Sequence, residues 1–257
     1  MILTNLSNVT LYTFPGEFDL HDWSDHDFSA RVRLLERFGK AGASQVSDRQ
    51  VESRRIKITG AIHAASQSDL KTALNNLKQA LYNNGEEYRF SWETGYYIGV
   101  SHCSRFKVKR YSGGLAYKSV DIEIELVCPD PYWYSTTLST VGPTSITTSP
   151  QDITFTLTST VPTPLIIALA PSASWTSLTI KNVTDGNNTL KLQDAALVSG
   201  VTCVIDARAG SVVRDGAINT VHYFAGAFLR LLPGSNTIRY TGTTGGTITL
   251  SAPLRWL

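Results

Sequence analysis

Charge and cysteine are both scarce in this 257-residue chain, and each scarcity closes off a class of function. Charged residues make up 17% and the formal net charge is +2, too mild a surplus for tight recognition of nucleic-acid phosphates. The three cysteines (Cys103, Cys128, Cys203) are odd in number and widely spaced, with no CxxC and no HxxxH pair in the chain. They read as free thiols of a reducing compartment, neither a disulfide framework nor a zinc site. No apolar run reaches the roughly 18 residues of a membrane-spanning helix. The N-terminus, MILTNLSNVT, lacks the basic and long apolar regions of a secretory leader, so none is expected.

Catalytic patterns are missing as well. There is no GxSxG elbow, no GxxxxGK[ST] loop and no GxGxxG fingerprint. His21 and His26 sit in HDWSDHDF among Asp19, Asp22, Asp25 and Asp27, but their spacing fits neither a zinc template nor a calcium loop. That segment reads as an acidic surface loop. His102 beside Cys103 does not make a dyad, because neighbours on a strand point to opposite faces. No enzyme, metal or cofactor is expected.

What is present is a folded chain, 42% hydrophobic, whose two halves differ in chemistry. Residues 1–130 hold 16 Lys/Arg and 16 Asp/Glu; residues 131–257 hold 7 and 5, with 35 Ser/Thr instead. Between them lies a proline- and Ser/Thr-rich stretch from Cys128 to Asp152. The expected division is a first domain over 1–134, a linker over 135–150 and a second domain over 151–257. The last few residues are left free to return to the first domain.

The first half reads as strands with one helix. Ile56, Ile58 and Ile62 alternate with polar residues in the period of a half-buried strand. Leu70, Leu74, Leu77 and Leu81 form one stripe, predicting a helix over about 67–83 capped by Ser66 or Ser68 and packed on a sheet. Arg105, Lys107 and Lys109 line one face of a strand. Asp121, Glu123 and Glu125 line one face of another, and Ser112-Gly113-Gly114 between them signals a turn. The two rows are expected to pair across antiparallel strands or to meet across a subunit contact. The second half has no convincing helix. Its many short strands, with a hairpin turn at Asp185–Asn188, read as a β-sandwich.

Tyr132, Trp133 and Tyr134 follow a Pro-x-Pro stretch and are candidates for a domain junction or subunit contact. The segment from Phe228 to Tyr240 reads as strand, Pro-Gly-Ser-Asn turn, strand. With Asp130-Pro-Tyr-Trp133, Leu232-Pro-Gly-Ser-Asn236, the early strand Arg54–Gly60 and the Arg255-Trp256 ending, nearly the whole chain resembles the distal tail proteins (Dit) of long-tailed, siphovirus-type bacteriophages, the phage tail component family. The resemblance implies a mainly β, two-domain protein: an N-terminal split β-barrel or β-sandwich with one helix, then a galectin-like β-sandwich. It further implies a structural tail-tip or baseplate hub at the distal end of the virion tail, synthesised in the host cytoplasm. Six copies would form a ring joining the major tail tube protein to a tail-associated hub or fibre protein. The tape measure and receptor-binding proteins would be further neighbours. DNA would cross the opening without specific binding, and no membrane would be involved. The alternative is a carbohydrate- or host-receptor-binding β-sandwich module, for which an exposed Trp175 in a groove would be the sign.

Overall fold

The computed structural model describes residues 1–14, 18–27, 30–31, 34–36, 43–45, 50–109, 118–186 and 188–257. The turn expected at Ser112–Gly114 lies outside them. The chain is mainly β, with one α-helix among the described residues, and divides into two compact units, Met1–Trp133 and Tyr134–Leu257.

In the first unit the strands are β1 (Ile2–Asn5), β2 (Thr10–Thr13), β3 (Phe18–Asp27) and β4 (Arg54–His63), followed by helix α1 (Gln67–Tyr82). After the helix come β5 (Tyr88–Ser91), β6 (Tyr96–Val100), β7 (His102–Lys109) and β8 (Ser119–Cys128). Strands β2-β1-β5-β6 form one sheet and β7-β8-β4-β3 another, with all recorded neighbours in the second sheet antiparallel. Two short ladders, Ala30–Arg31 with Gln50–Val51 and Leu34–Glu36 with Ala43–Gln45, lie between β3 and β4 in the chain.

The leucine stripe explains where α1 sits. Leu70, Leu77 and Leu81 are buried and Leu74 partly so, in one core with Ile56, Ile58, Ile62, Ile122, Ile124 and Leu126 from the second sheet. The helix starts where the Ser66 hydroxyl accepts from the Asp69 amide at 3.2 Å, and stops at Asn83 in the left-handed conformation. The acidic HDWSDHDF segment is a correction: it runs mostly within β3, not a loop. Hydrogen bonding to β4 holds it extended, and an extra residue between Leu20 and Asp22 absorbs its irregular alternation.

The second unit is a two-layer β structure. One layer contains β9 (Trp133–Ser145), β11 (Ile166–Pro171), β14 (Cys203–Asp206), β15 (Ser211–Arg214), β16 (Ile218–Asn219) and β19 (Gly246–Trp256), in the order β9-β19-β11-β14-β15-β16. The other contains β10 (Gln151–Leu157), β12 (Leu178–Asn182), β13 (Asn188–Leu192), β17 (Phe224–Gly226) and β18 (Gly234–Gly242), in the order β10-β18-β12-β13-β17. Inward residues of both layers, among them Phe155, Ile167, Ile180, Ile205, Ile238 and Leu250, share one core. The ending at Arg255-Trp256 belongs to this unit, as part of β19.

The expected linker over 135–150 is also corrected. Most of it is the strand β9, because its β-branched Thr and Val residues suit an extended chain despite Gly142 and Pro143. Gly142 is required there: it has φ +107°, and a Cβ on it would lie 2.7 Å from the carbonyl oxygen of Ile248.

Candidate assembly surface

The sequence-singled charges converge on the face of the β7-β8-β4-β3 sheet opposite to α1 and the core. Period-2 alternation puts Val120, Ile122, Ile124 and Leu126 inward, so Asp121, Glu123 and Glu125 share the outer face of β8. The register sets Arg105 opposite Glu125, Lys107 opposite Glu123 and Lys109 opposite Asp121. The two rows thus meet inside one subunit.

Sequence reading missed the other flank. Arg55 and Lys57 on β4 lie on the same face, and they hold part of the acidic row: Arg55 donates to Glu125 at 2.8 Å, and Lys57 lies 3.9 Å from Glu123. Arg105 approaches Glu123 at 3.4 Å. The alternation Arg55-Ile56-Lys57-Ile58 carried that signal, but the strand pairing that brings it beside β8 is non-local. Glu123 and Glu125 therefore sit between cations from both sides, and their side chains are only 11% and 22% exposed. Asp121 differs: its Oδ1 is closed off from solvent with no hydrogen-bond partner among the described residues. Lys107 and Lys109 are exposed and make no ion pair among the described residues.

The three aromatics at 132–134 do not act together. Trp133 packs against Phe90 in the first unit, ring centroids 6.2 Å apart. Tyr134 is buried in the second, with the Arg208 guanidinium 4.3 Å over its ring. Tyr132 is half-buried, its amide donating to Asp130 Oδ1 at 3.4 Å.

In the second unit, the Leu232–Asn236 segment is a structural staple. Asn236 is fully buried; its Oδ1 accepts from the Leu232 amide at 2.8 Å, and its Nδ2 donates to the carbonyls of Leu232 at 2.7 Å and Gly234 at 3.0 Å. Nearby, Arg230 pairs with Asp185 at 2.9 Å and holds that carboxyl below the usual range. Trp175, the residue on which a saccharide site depended, is fully buried and tilted against Tyr240 at 5.2 Å, so it is not available to a sugar.

A groove of about 300 Å³ runs between the end of α1 and β7, lined by Leu81, Tyr82, His102, Cys103 and Phe106 among others. It does not carry thiol chemistry. Burial raises the Cys103 thiol, which donates to the Arg105 carbonyl at 3.1 Å, while the His102 ring engages the Ser101 hydroxyl at 2.8 Å. Cys128 and Cys203 are buried and pushed up to about 12 and about 11, mainly by desolvation. Among the described residues no three His, Cys, Asp or Glu side chains converge as a metal site.

Comparison with known proteins gives these observations a frame. Residues 158–253 match the family model for the siphovirus-type tail component, C-terminal domain. The structure of phage SPP1 Dit, described as a paradigm of hub adsorption apparatus in phages infecting Gram-positive hosts, superposes with TM-score 0.74 at 15% identity. That match covers 100% of this chain and 99% of the other. A chain of the phage P2 baseplate in its activated conformation with Ca matches at TM-score 0.53 and 9% identity, covering 98% and 96%. The corresponding baseplate structure with Sr gives the same values. No curated protein sequence matches.

Proposed function

We propose that this chain, whose residues 158–253 match the siphovirus-type tail component, C-terminal domain, is a structural hub subunit of a phage tail tip or baseplate. The observation that carries the reading is the fold match along the whole length of both chains, covering 100% and 99%. A likeness confined to the second unit would fit an appended sandwich on many scaffolds. One that also takes in the helix-backed sheets of the first unit supports the hub reading.

On this reading six copies close into a ring at the distal end of the tail. The ring joins the major tail tube protein on one side to a tail-associated hub or fibre protein on the other. Tape measure and receptor-binding proteins are further neighbours, and DNA passes through the opening without sequence-specific contact. The first unit forms the ring, the second stands as an appended module, and synthesis takes place in the host cytoplasm. The chemistry fits an assembly part: Glu123 and Glu125 are held by cations of the same subunit while Lys107 and Lys109 stay exposed on that face, and the thiols are buried or raised by burial.

Gold-conjugated antibody against this chain, applied to purified tails of the phage that encodes it, tests the assignment by electron microscopy. Label at the tip distal to the head supports it; label along the tube or at the head end refutes it.

A further inference from the structure

The five-stranded layer of the second unit turns a face of hydroxyls and cations away from the core. Alternation buries Ile153, Phe155, Ile238, Ile180 and Leu190, so the residues between them share the outer side. The register sets these out in rows across the sheet. One row runs Asp152, Arg239, Lys181, Thr189, and the next runs Thr241, Thr179, Lys191, Ala225. Among the described residues, no outward position of these strands carries an aromatic ring.

Lys181 and Lys191 are the only lysines of residues 131–257, and both fall on this face, diagonal to one another on β12 and β13. Arg239 stands directly opposite Lys181. Like charges opposed across two strands destabilise a sheet, so the fold gains nothing from a cation at 181. Neither lysine makes an ion pair among the described residues, because the carboxylates of this unit are engaged elsewhere. Two nitrogens of Arg239 hold Asp152 at 2.7 and 2.8 Å. The buried Asp185 and Asp194 are held by Arg230 and Arg214. Asp206 and Asp215 accept from backbone amides beside strands of the other layer.

We propose that this face binds a flexible, phosphodiester-linked polyol chain, with Lys181 and Lys191 neutralising neighbouring phosphates and the threonines of the same rows hydrogen-bonding along the chain. Charge complementarity selects a polyanion, since three cations share the face with one acid that is already paired. The donors select the kind. A guanidinium fork reads a planar carboxylate, and the one fork here is filled by Asp152. The lysines are point charges which, with hydroxyls beside them, suit the oxygens of a tetrahedral phosphate. Diagonal positions on neighbouring strands lie about 7–8 Å apart, a gap that successive phosphates of one flexible chain can span. Threonine hydroxyls both donate and accept, which matches a chain alternating phosphate with hydroxyl-bearing units. Single-stranded nucleic acid carries the same phosphates but binds through stacked bases, and this face offers no ring to stack on. The face is complete in one copy of the chain, so the inference does not depend on ring closure.

The test titrates the full-length chain with a short synthetic glycerol-phosphate oligomer by calorimetry. With two phosphates neutralised, raising salt from about 0.05 to about 0.2 M is expected to weaken binding about sevenfold. K181Q/K191Q is expected to lose about tenfold or more in affinity and to flatten that salt dependence. Its melting temperature is expected to stay level or rise, because the opposition of Arg239 and Lys181 is relieved. D152N works in the other direction: it frees Arg239 as a third cation, so binding tightens and the same salt step costs about eighteenfold. Oligothymidylate and poly-glutamate of matched charge are expected to bind more weakly than the glycerol-phosphate oligomer. Circular dichroism melts check that each variant folds, and D152N, altering only an exposed pair, serves if the double variant does not. A wild type that fails to bind the oligomer overturns the proposal, as does a folded K181Q/K191Q that binds as tightly as wild type, or a D152N that binds no tighter. Oligothymidylate or poly-glutamate binding as tightly as the oligomer overturns the choice of a phosphodiester-linked polyol.

Discussion

Removing the side chain of Asn236 tests whether the Leu-Pro-Gly-Ser-Asn segment holds the second unit together. In N236A, four bonds go at once: two accepted, from the Leu232 amide and from Asn182 Nδ2, and two donated to the carbonyls of Leu232 and Gly234. A buried group left unsatisfied costs about 1–3 kcal/mol, and a bond exchanged for water about 1 kcal/mol. Gly234 is exposed and Leu232 half-buried, so water recovers part of the loss. The expected destabilisation is about 2–3 kcal/mol, which at a urea slope of about 1–3 kcal/mol/M moves the midpoint down by about 1 M. Hydrogen exchange of peptides from β18 along the urea series reads the second unit by itself. N236D sharpens the argument. It keeps an acceptor for the Leu232 amide but sets a carboxylate against two carbonyl oxygens, which raises the folded-state pKa of the introduced acid. The folded state then binds the extra proton more tightly, so the stability it retains at acidic pH falls as pH rises through that raised pKa. Both variants unfolding within about 0.5 kcal/mol of wild type would refute the reasoning.

Two further outcomes follow from burial. Leu77, fully buried under α1, is expected to cost about 2–5 kcal/mol on truncation to Ala, while the partly buried Leu74 costs less; equal losses in the first unit's melt would contradict the helix orientation. The buried thiols of Cys128 and Cys203 are expected to resist a thiol reagent in the native protein at neutral pH, and all three cysteines to titrate after denaturation without reductant. Recovering a single thiol on denaturation would contradict that.

What the sequence made legible depended on how local the determining physics was. The helix could be placed because four leucines repeat on one face and Ser66 supplies the cap within three residues. The mainly β class could be read from alternation alone, as in Val120–Leu126. Failure came where tertiary pairing decided. The acidic segment at 18–27 looks like a solvated loop until β4 is beside it, and the bulge between Leu20 and Asp22 disguises its period. The stretch 135–145 looks like a linker because its serines and threonines, with Gly142 and Pro143, dominate, whereas its pairing within a sheet settles it as strand. Trp175 was legible as a large aromatic but not as a core residue, since only the packing of Tyr240 against it shows that. Of the charged candidates, the pairing of β7 with β8 was foreseeable from their complementary rows. The share of Glu123 and Glu125 taken by Lys57 and Arg55 was not, because it depends on a strand about seventy residues away. That share is what leaves Lys107 and Lys109 to look outward.

The central claim is that this chain closes into a six-membered hub ring, and the mass of the assembled full-length protein by size-exclusion chromatography with light scattering tests it most directly. Six copies of a 28.1 kDa chain give about 169 kDa, and the account predicts that species, reached cooperatively as concentration rises and diminished by high salt. A 28.1 kDa monomer at every concentration, or an open series of masses with no endpoint, would contradict it.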